Sequence, residues 1–184
     1  MERYEDKIDK ALQRLWSPSS ITPTGGNPIV YLPYQPEDLM RVRDLATTFL
    51  PSKAEYYGFE VHFVSMAKLV DDFISNNPYL ELWQSPMVDE RQLHTSIKQE
   101  IDNSQYLENE LLKIQDELTG DHPLLVITDL EMLHPFHMMG AIENRIYNKI
   151  RIPMLVLYPG DTHGTARSFL NIYNQDGNYR SINV

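Results

Sequence analysis

Cysteine is absent from the 184 residues. Its absence excludes disulfides, thiolate metal sites and cysteine nucleophiles, and it fits a reducing compartment. No apolar run approaches the roughly 18 to 20 residues needed to cross a bilayer. The N-terminus, MERYEDKIDK, is charged where a signal peptide needs an apolar block. A cytoplasmic location without membrane association is therefore expected. Basic charge is also scarce, with 16 Lys+Arg against 26 Asp+Glu and a net charge of −10 at pH 7. A chain that neutralises several phosphates needs a basic face. The densest basic stretches, Arg41/Arg43 and Arg145/Lys149/Arg151, are short, so direct nucleic-acid binding is disfavoured, and a protein partner suits the charge better.

A phosphate-binding loop is the next absence. The stretch PLLVITDLE, residues 123–131, places Asp129 and Glu131 after an apolar run, as in P-loop proteins whose strand acids hold magnesium. Such a site also needs a Gly-rich loop after the first strand, with backbone N–H groups and a lysine for the phosphates. Here that loop is LPYQPED, residues 32–38, with no glycine, no lysine, two prolines and two carboxylates. Thr24-Gly-Gly-Asn27 precedes the strand and lacks the lysine-hydroxyl ending. ATP hydrolysis is not expected, and neither is a cofactor.

What is present reads as alternating strands and helices. Tyr4, Ile8, Ala11, Leu12 and Leu15 recur at helical spacing and predict a helix over 3–15. A turn-rich linker, 17–28, follows. IVYLPY (29–34) predicts a strand, and Pro36-Glu37-Asp38 opens a helix to Leu50. A second unit has a strand at 59–64, Ser65 as N-cap and a helix over 66–74. The segment 78–120 reads as a loop holding Trp83 and then a long helical stretch, 89–118. Unbroken, its roughly 30 residues would span about 45 Å and project toward a partner; a break near Asn103-Ser104 is the alternative. Continuous apolar runs at 124–128 and 154–158 suit central parallel strands, with a crossover helix over 138–150. Edge strands are expected at 169–173 and 179–184, around a turn at 175–178. The expected fold is a single α/β domain, 1–184, with a mainly parallel sheet flanked by helices. Its layout is P-loop-NTPase-like, without the phosphate-binding loop.

Candidate chemistry is thin. Asp129 and Glu131 sit at the carboxyl end of a central strand, where α/β folds place ligands. With His134 and His137 they are candidates for a divalent metal site, although D-x-E-x-x-H-x-x-H is no specific signature and Pro135 separates the histidines. The alternatives are a turn-capping Asp129, a Glu131 paired with a cation, and ordinary loop histidines. YPGDTHG, residues 158–164, reads as a sharp strand exit that uses glycine dihedrals. No glycine-flanked serine elbow is present. Trp83, an aromatic in a polar loop, is a candidate interface anchor, and folding onto its own core is the alternative.

Taken in order, IVYLPYQPEDLMRVR, LLVITDLEMLHPF, IPMLVLYPGDTHGT and the ending IYNQDGNYRSINV make the chain resemble the BrxB family of BREX bacteriophage-defence systems. The matching positions are Asp129, Pro135, Tyr158, Pro159, Gly160, Tyr179 and Arg180, with Asn178-Tyr179 standing where the family doubles its tyrosine. The resemblance implies a small non-catalytic component acting beside a methyltransferase, an ATPase and a PglZ-type protein. The PglZ-type protein is the implied direct partner, and no catalytic residues carry over. The alternative is a cryptic metal- or nucleotide-binding enzyme using Asp129 and Glu131.

Overall fold

The computed structural model describes residues 2–17, 28–163, 166–173, 176–177 and 182–184. Strands β1 (Ile29–Tyr34), β2 (Glu60–Ser65), β3 (Pro123–Thr128) and β4 (Met154–His163) form the parallel centre of the sheet. With β7 (Ile182–Asn183), the order across the sheet is β2-β3-β4-β1-β7. The first strand and the acid-bearing β3 therefore flank β4. Beyond Pro159, β4 leaves this layer and pairs antiparallel with β5 (Ala166–Phe169), which in turn pairs with β6 (Asp176–Gly177).

Alternation of side chains along the strands splits the core into two layers. Ile29, Tyr31, Leu125, Ile127, Met154, Val156 and Tyr158 face one side. Val30, Leu32, Tyr34, Leu124, Val126, Leu155 and Leu157 face the other. Helices α1 (Tyr4–Trp16), α2 (Leu39–Thr48) and α3 (Leu50–Tyr56) cover the second layer. The first layer lies under α4 (Met66–Ser75), the short α5 (Leu80–Trp83), α6 (Glu90–Ser104), α7 (Tyr106–Glu117) and α8 (Met139–Ile146). Burial on both faces is why these strands read as unbroken apolar runs.

Several expected boundaries shift. The stretch over 89–118 is two helices, because Gln105 adopts a left-handed conformation at φ 51°. Both helices fold back onto one core through Ile97, Ile101, Leu107 and Leu111, so neither projects as a 45 Å rod. The helix after β1 does not stop at Leu50. It begins as a 3-10 turn at Pro36–Asp38, breaks at Phe49 and continues as α3 with proline in its first turn. The crossover helix ends at Ile146 rather than 150, since Tyr147 is extended and Asn148 has φ 63°. The strand expected at 169–173 lies at 166–169, cut short by positive φ at Leu170 and Asn171. Ile182–Asn183 form the last expected strand, of which only residues 182–184 fall among the described residues. The 17–28 linker lies largely outside them, and so do Tyr179 and Arg180.

Gly160 explains how β4 changes layers. Its φ is 142°, and a Cβ there would come within 1.9 Å of the Ser168 carbonyl oxygen. Only glycine meets both demands. The neighbouring residues of the Tyr158-Pro159-Gly160 motif lock the turn. Tyr158 is buried against Tyr31 and Phe169, and the Pro159 carbonyl accepts the Leu170 N–H at 2.8 Å.

Candidate functional site

The carboxyl ends of the parallel strands are where this fold class places ligands, and four of the sequence candidates belong to this end. Asp129 leaves β3 at φ 58°, a left-handed conformation that aspartate tolerates better than most residues. The turn aims its carboxylate at three donors. Ser65 Oγ donates to Oδ2 at 2.6 Å, Thr128 Oγ1 donates to the same oxygen at 2.9 Å, and Arg43 Nη2 donates to Oδ1 at 2.5 Å. The Arg43 guanidinium also donates to Glu131 Oε1 at 2.8 Å. Ser65 simultaneously caps α4 by accepting the Lys68 N–H. One arginine on α2 thus spans both acids and ties the end of β3 to the opposite helical layer. A divalent cation would have to displace it.

Burial pushes the Asp129 carboxyl up, but the Ser65 and Thr128 hydrogen bonds and the Arg43 charge outweigh burial and hold it below its usual value. A carboxylate depressed in the folded state contributes stability above its unfolded pKa of about 3.9. That contribution is lost as pH falls through the folded value. Asp129→Asn is therefore expected to flatten the loss of stability below about pH 4. Urea unfolding over a pH series checks this, and identical acid slopes in the two proteins would contradict the role given to Asp129.

The histidines do not join the acids. His134, followed by Pro135, lies with its ring centroid 3.7 Å from that of Tyr173 and 6.0 Å from that of Phe169. Burial, with the charge of Lys98, lowers its pKa. His137 is buried, and its Nε2 lies 3.3 Å from Glu108 Oε1, which also accepts from Arg145 Nη1 at 3.1 Å. The four metal candidates thus divide among three separate environments. Among the described residues, no group of three or more His, Cys, Asp or Glu is placed to hold a metal.

The place a phosphate loop would fill is closed by the chain itself. At the exit of β1, the Gln35 N–H is donated to the Tyr4 hydroxyl at 3.2 Å, and that hydroxyl donates to Asp38 Oδ2 at 2.8 Å. Lys7 Nζ donates to the Pro33 carbonyl at 3.1 Å. Gln35 also bonds Asp161 and accepts from Asn171. A crevice of about 180 Å³ remains beside these groups, with Glu2 and Asp161 in its wall. Lys7 lines it as well, and its single positive charge is offset by the two carboxylates, which oppose an anion.

Residues 62–184 match the family model described as BREX protein BrxB. The chain belongs to the BrxB family. Membership places it among the components of BREX phage-defence systems. No curated protein and no solved structure matches the chain. The BrxB match covers β3, the Asp129 turn, Pro135 and the Tyr158-Pro159-Gly160 exit. No helix among the described residues is long and apolar enough to cross a membrane.

Trp83 lies inside this BrxB chain rather than on its surface. It ends α5 with 6% of its surface exposed, packs between Phe73 and Tyr79 and donates Nε1–H to Ser96 Oγ at 2.9 Å. The same segment turns three other apolar side chains outward. Tyr79 is 47%, Leu82 56% and Met87 90% exposed. The turn that presents them is fixed by Ser85, whose Oγ accepts the Met87 N–H, and by the Asp89–Gln92 capping box of α6. Sequence reading singled out the segment but chose its inward residue, because a lone tryptophan gives no sign of which way it points.

Two buried charge clusters escaped the sequence reading. Glu143 on α8 is fully buried, accepts the Tyr31 hydroxyl at 2.7 Å and faces Arg167 Nη2 at 3.7 Å. Arg167 on β5, also buried, lies 3.5 Å over the Tyr31 ring and donates to Asn183 Oδ1. The other cluster is Glu108, His137 and Arg145. A signal existed for the first: Tyr31 and Tyr158 both lie in strands covered on both faces, and buried tyrosine hydroxyls need partners.

Proposed function

We infer that this BrxB protein is a non-catalytic binding module that docks onto a larger BREX subunit, with the PglZ-type protein as its direct partner. The observation that carries this reading is the 79–87 segment, a fixed turn that exposes Tyr79, Leu82 and Met87 while Trp83 anchors it from below. Interfaces concentrate their energy in such apolar and aromatic anchors on pre-organised supports. The acids that an enzyme of this layout would use are engaged by Arg43, Ser65 and Thr128. That engagement supports a structural role for Asp129 and Glu131. The net charge of −10 favours a protein partner over nucleic acid.

Calorimetric titration against the PglZ-type protein of its own gene neighbourhood tests the surface. Leu82→Asp and Met87→Asp each place a charge in the contact, and each is expected to weaken binding by roughly tenfold or more, as hot-spot losses do. Thermal stability should stay near wild type, because both side chains are exposed. Wild-type affinity in both variants would remove this segment from the interface.

A further inference from the structure

We propose that the open edge of β2 is a second binding site, which takes up an extended apolar segment carrying a lysine or arginine from another protein. β2 is the outermost strand of the sheet, and among the described residues it pairs only with β3. The direction of its backbone groups follows from one bond. Glu60 N–H donates to the His122 carbonyl at 3.2 Å, on the β3 side. Main-chain groups alternate along a strand, so those of Val61, Phe63 and Ser65 face the open edge. Natural edges are usually blunted by lysine, proline or a bulge. This one carries none of these across Glu60–Ser65, and it presents Phe63 45% exposed.

Beside the edge lies a groove of about 540 Å³ whose wall includes His62, Leu69, Asp72, Ile114 and Leu118. Strand addition has two recognition elements, main-chain bonds for affinity and pockets for alternate side chains for specificity. Both are present here. Leu69, Ile114 and Leu118 offer the apolar pocket on one face, and Phe63 offers a platform on the other. Lys68 also lines the groove; against it, Asp72 in the groove and Glu60 at the amino end of the strand, 55% exposed, leave an excess of negative charge that favours a basic side chain. A second copy of the chain would bring the same edge, Glu60–Ser65, which carries no lysine or arginine to meet these carboxylates. The proposal is independent of the Tyr79–Leu82–Met87 contact.

The test uses fluorescence anisotropy of overlapping fifteen-residue labelled peptides that cover the other proteins of its BREX system, titrated with the full chain. At least one peptide with alternating apolar residues and a Lys or Arg is expected to bind, more weakly as salt rises. Phe63→Pro deletes an outward N–H without touching the β3 ladder, and Phe63→Lys places a like charge on the edge. Each should weaken that peptide by about tenfold or more while the circular dichroism spectrum is retained. The absence of any bound peptide would overturn the proposal, as would equal affinity for both folded variants. A wild-type dimer in light scattering that Phe63→Lys dissociates would overturn it in favour of a second copy. Size-exclusion of the same variants with the PglZ-type protein separates the two surfaces. A complex unaffected by Phe63→Lys but lost in Leu82→Asp leaves the adaptor reading intact whatever the peptides do.

Discussion

Glu143→Ala is expected to lower the unfolding free energy by roughly 3–5 kcal/mol, the loss that follows when one partner of a buried ion pair is removed. Arg167, itself 2% exposed, would be left charged beneath β4 without the carboxylate it faces, and the Tyr31 hydroxyl would lose its acceptor. In a chain of this size about 2–4 °C accompanies each kcal/mol, so the melting temperature should fall by roughly 6–20 °C. Arg167→Ala should destabilise comparably for an added reason, since the guanidinium covers the Tyr31 ring. Replacing both charges at once, as Glu143→Leu with Arg167→Met, is expected to restore much of the loss, because no unpaired charge stays buried. Urea titration of the two single variants and the double variant makes the comparison. A double variant as unstable as the sum of the singles would contradict the view that desolvated charge, rather than packing, dominates this site.

Trp83→Ala has the second large effect, a destabilisation of roughly 3–5 kcal/mol from the cavity left between Phe73 and Tyr79 and from the lost hydrogen bond to Ser96. Leu82→Asp, one residue earlier, should change stability by less than about 0.5 kcal/mol, as exposed substitutions do. The pair separates support from contact. Partner binding lost in Trp83→Ala would reflect a disordered turn, whereas binding lost in Leu82→Asp with an unchanged melting temperature reports the surface itself. A Trp83→Ala protein as stable as wild type would contradict the burial described for this residue.

The parallel strands were legible in the sequence because burial on both faces writes itself as short runs of Ile, Leu and Val. The register of burial was legible too, since residues of one parity share a layer. Boundaries set by single backbone conformations were not. Gln105 and Leu170 adopt positive φ with nothing in their side chains to announce it, and Asn148 and Asn171 do so with a side chain whose tolerance of the left-handed region is too common to fix a boundary. Gly160 was readable for the opposite reason, because a glycine at a sharp strand exit marks dihedrals that other residues avoid, while the Cβ collision with Ser168 depended on the fold. For the site, the acids at 129 and 131 were found at the strand end where they lie. Their neutralisation by Arg43, 86 residues away from Asp129 in sequence, depended on how α2 crosses the sheet. The separation of His134 from His137 had the same origin. Each ring is claimed by a distant element, Tyr173 for one and Glu108 for the other. Buried charges such as Glu143 and Arg167 are hidden for a similar reason, since either residue alone reads as a surface charge.

The most direct test of the central claim is size-exclusion chromatography with light scattering on this BrxB protein, alone and mixed with the PglZ-type protein of its own BREX system. A binding module of the kind inferred here gives a complex of fixed stoichiometry that persists at micromolar concentration. Separate elution of the two proteins at micromolar concentration would contradict the adaptor reading and move attention to metal and nucleotide titration of the Asp129–Glu131 strand end.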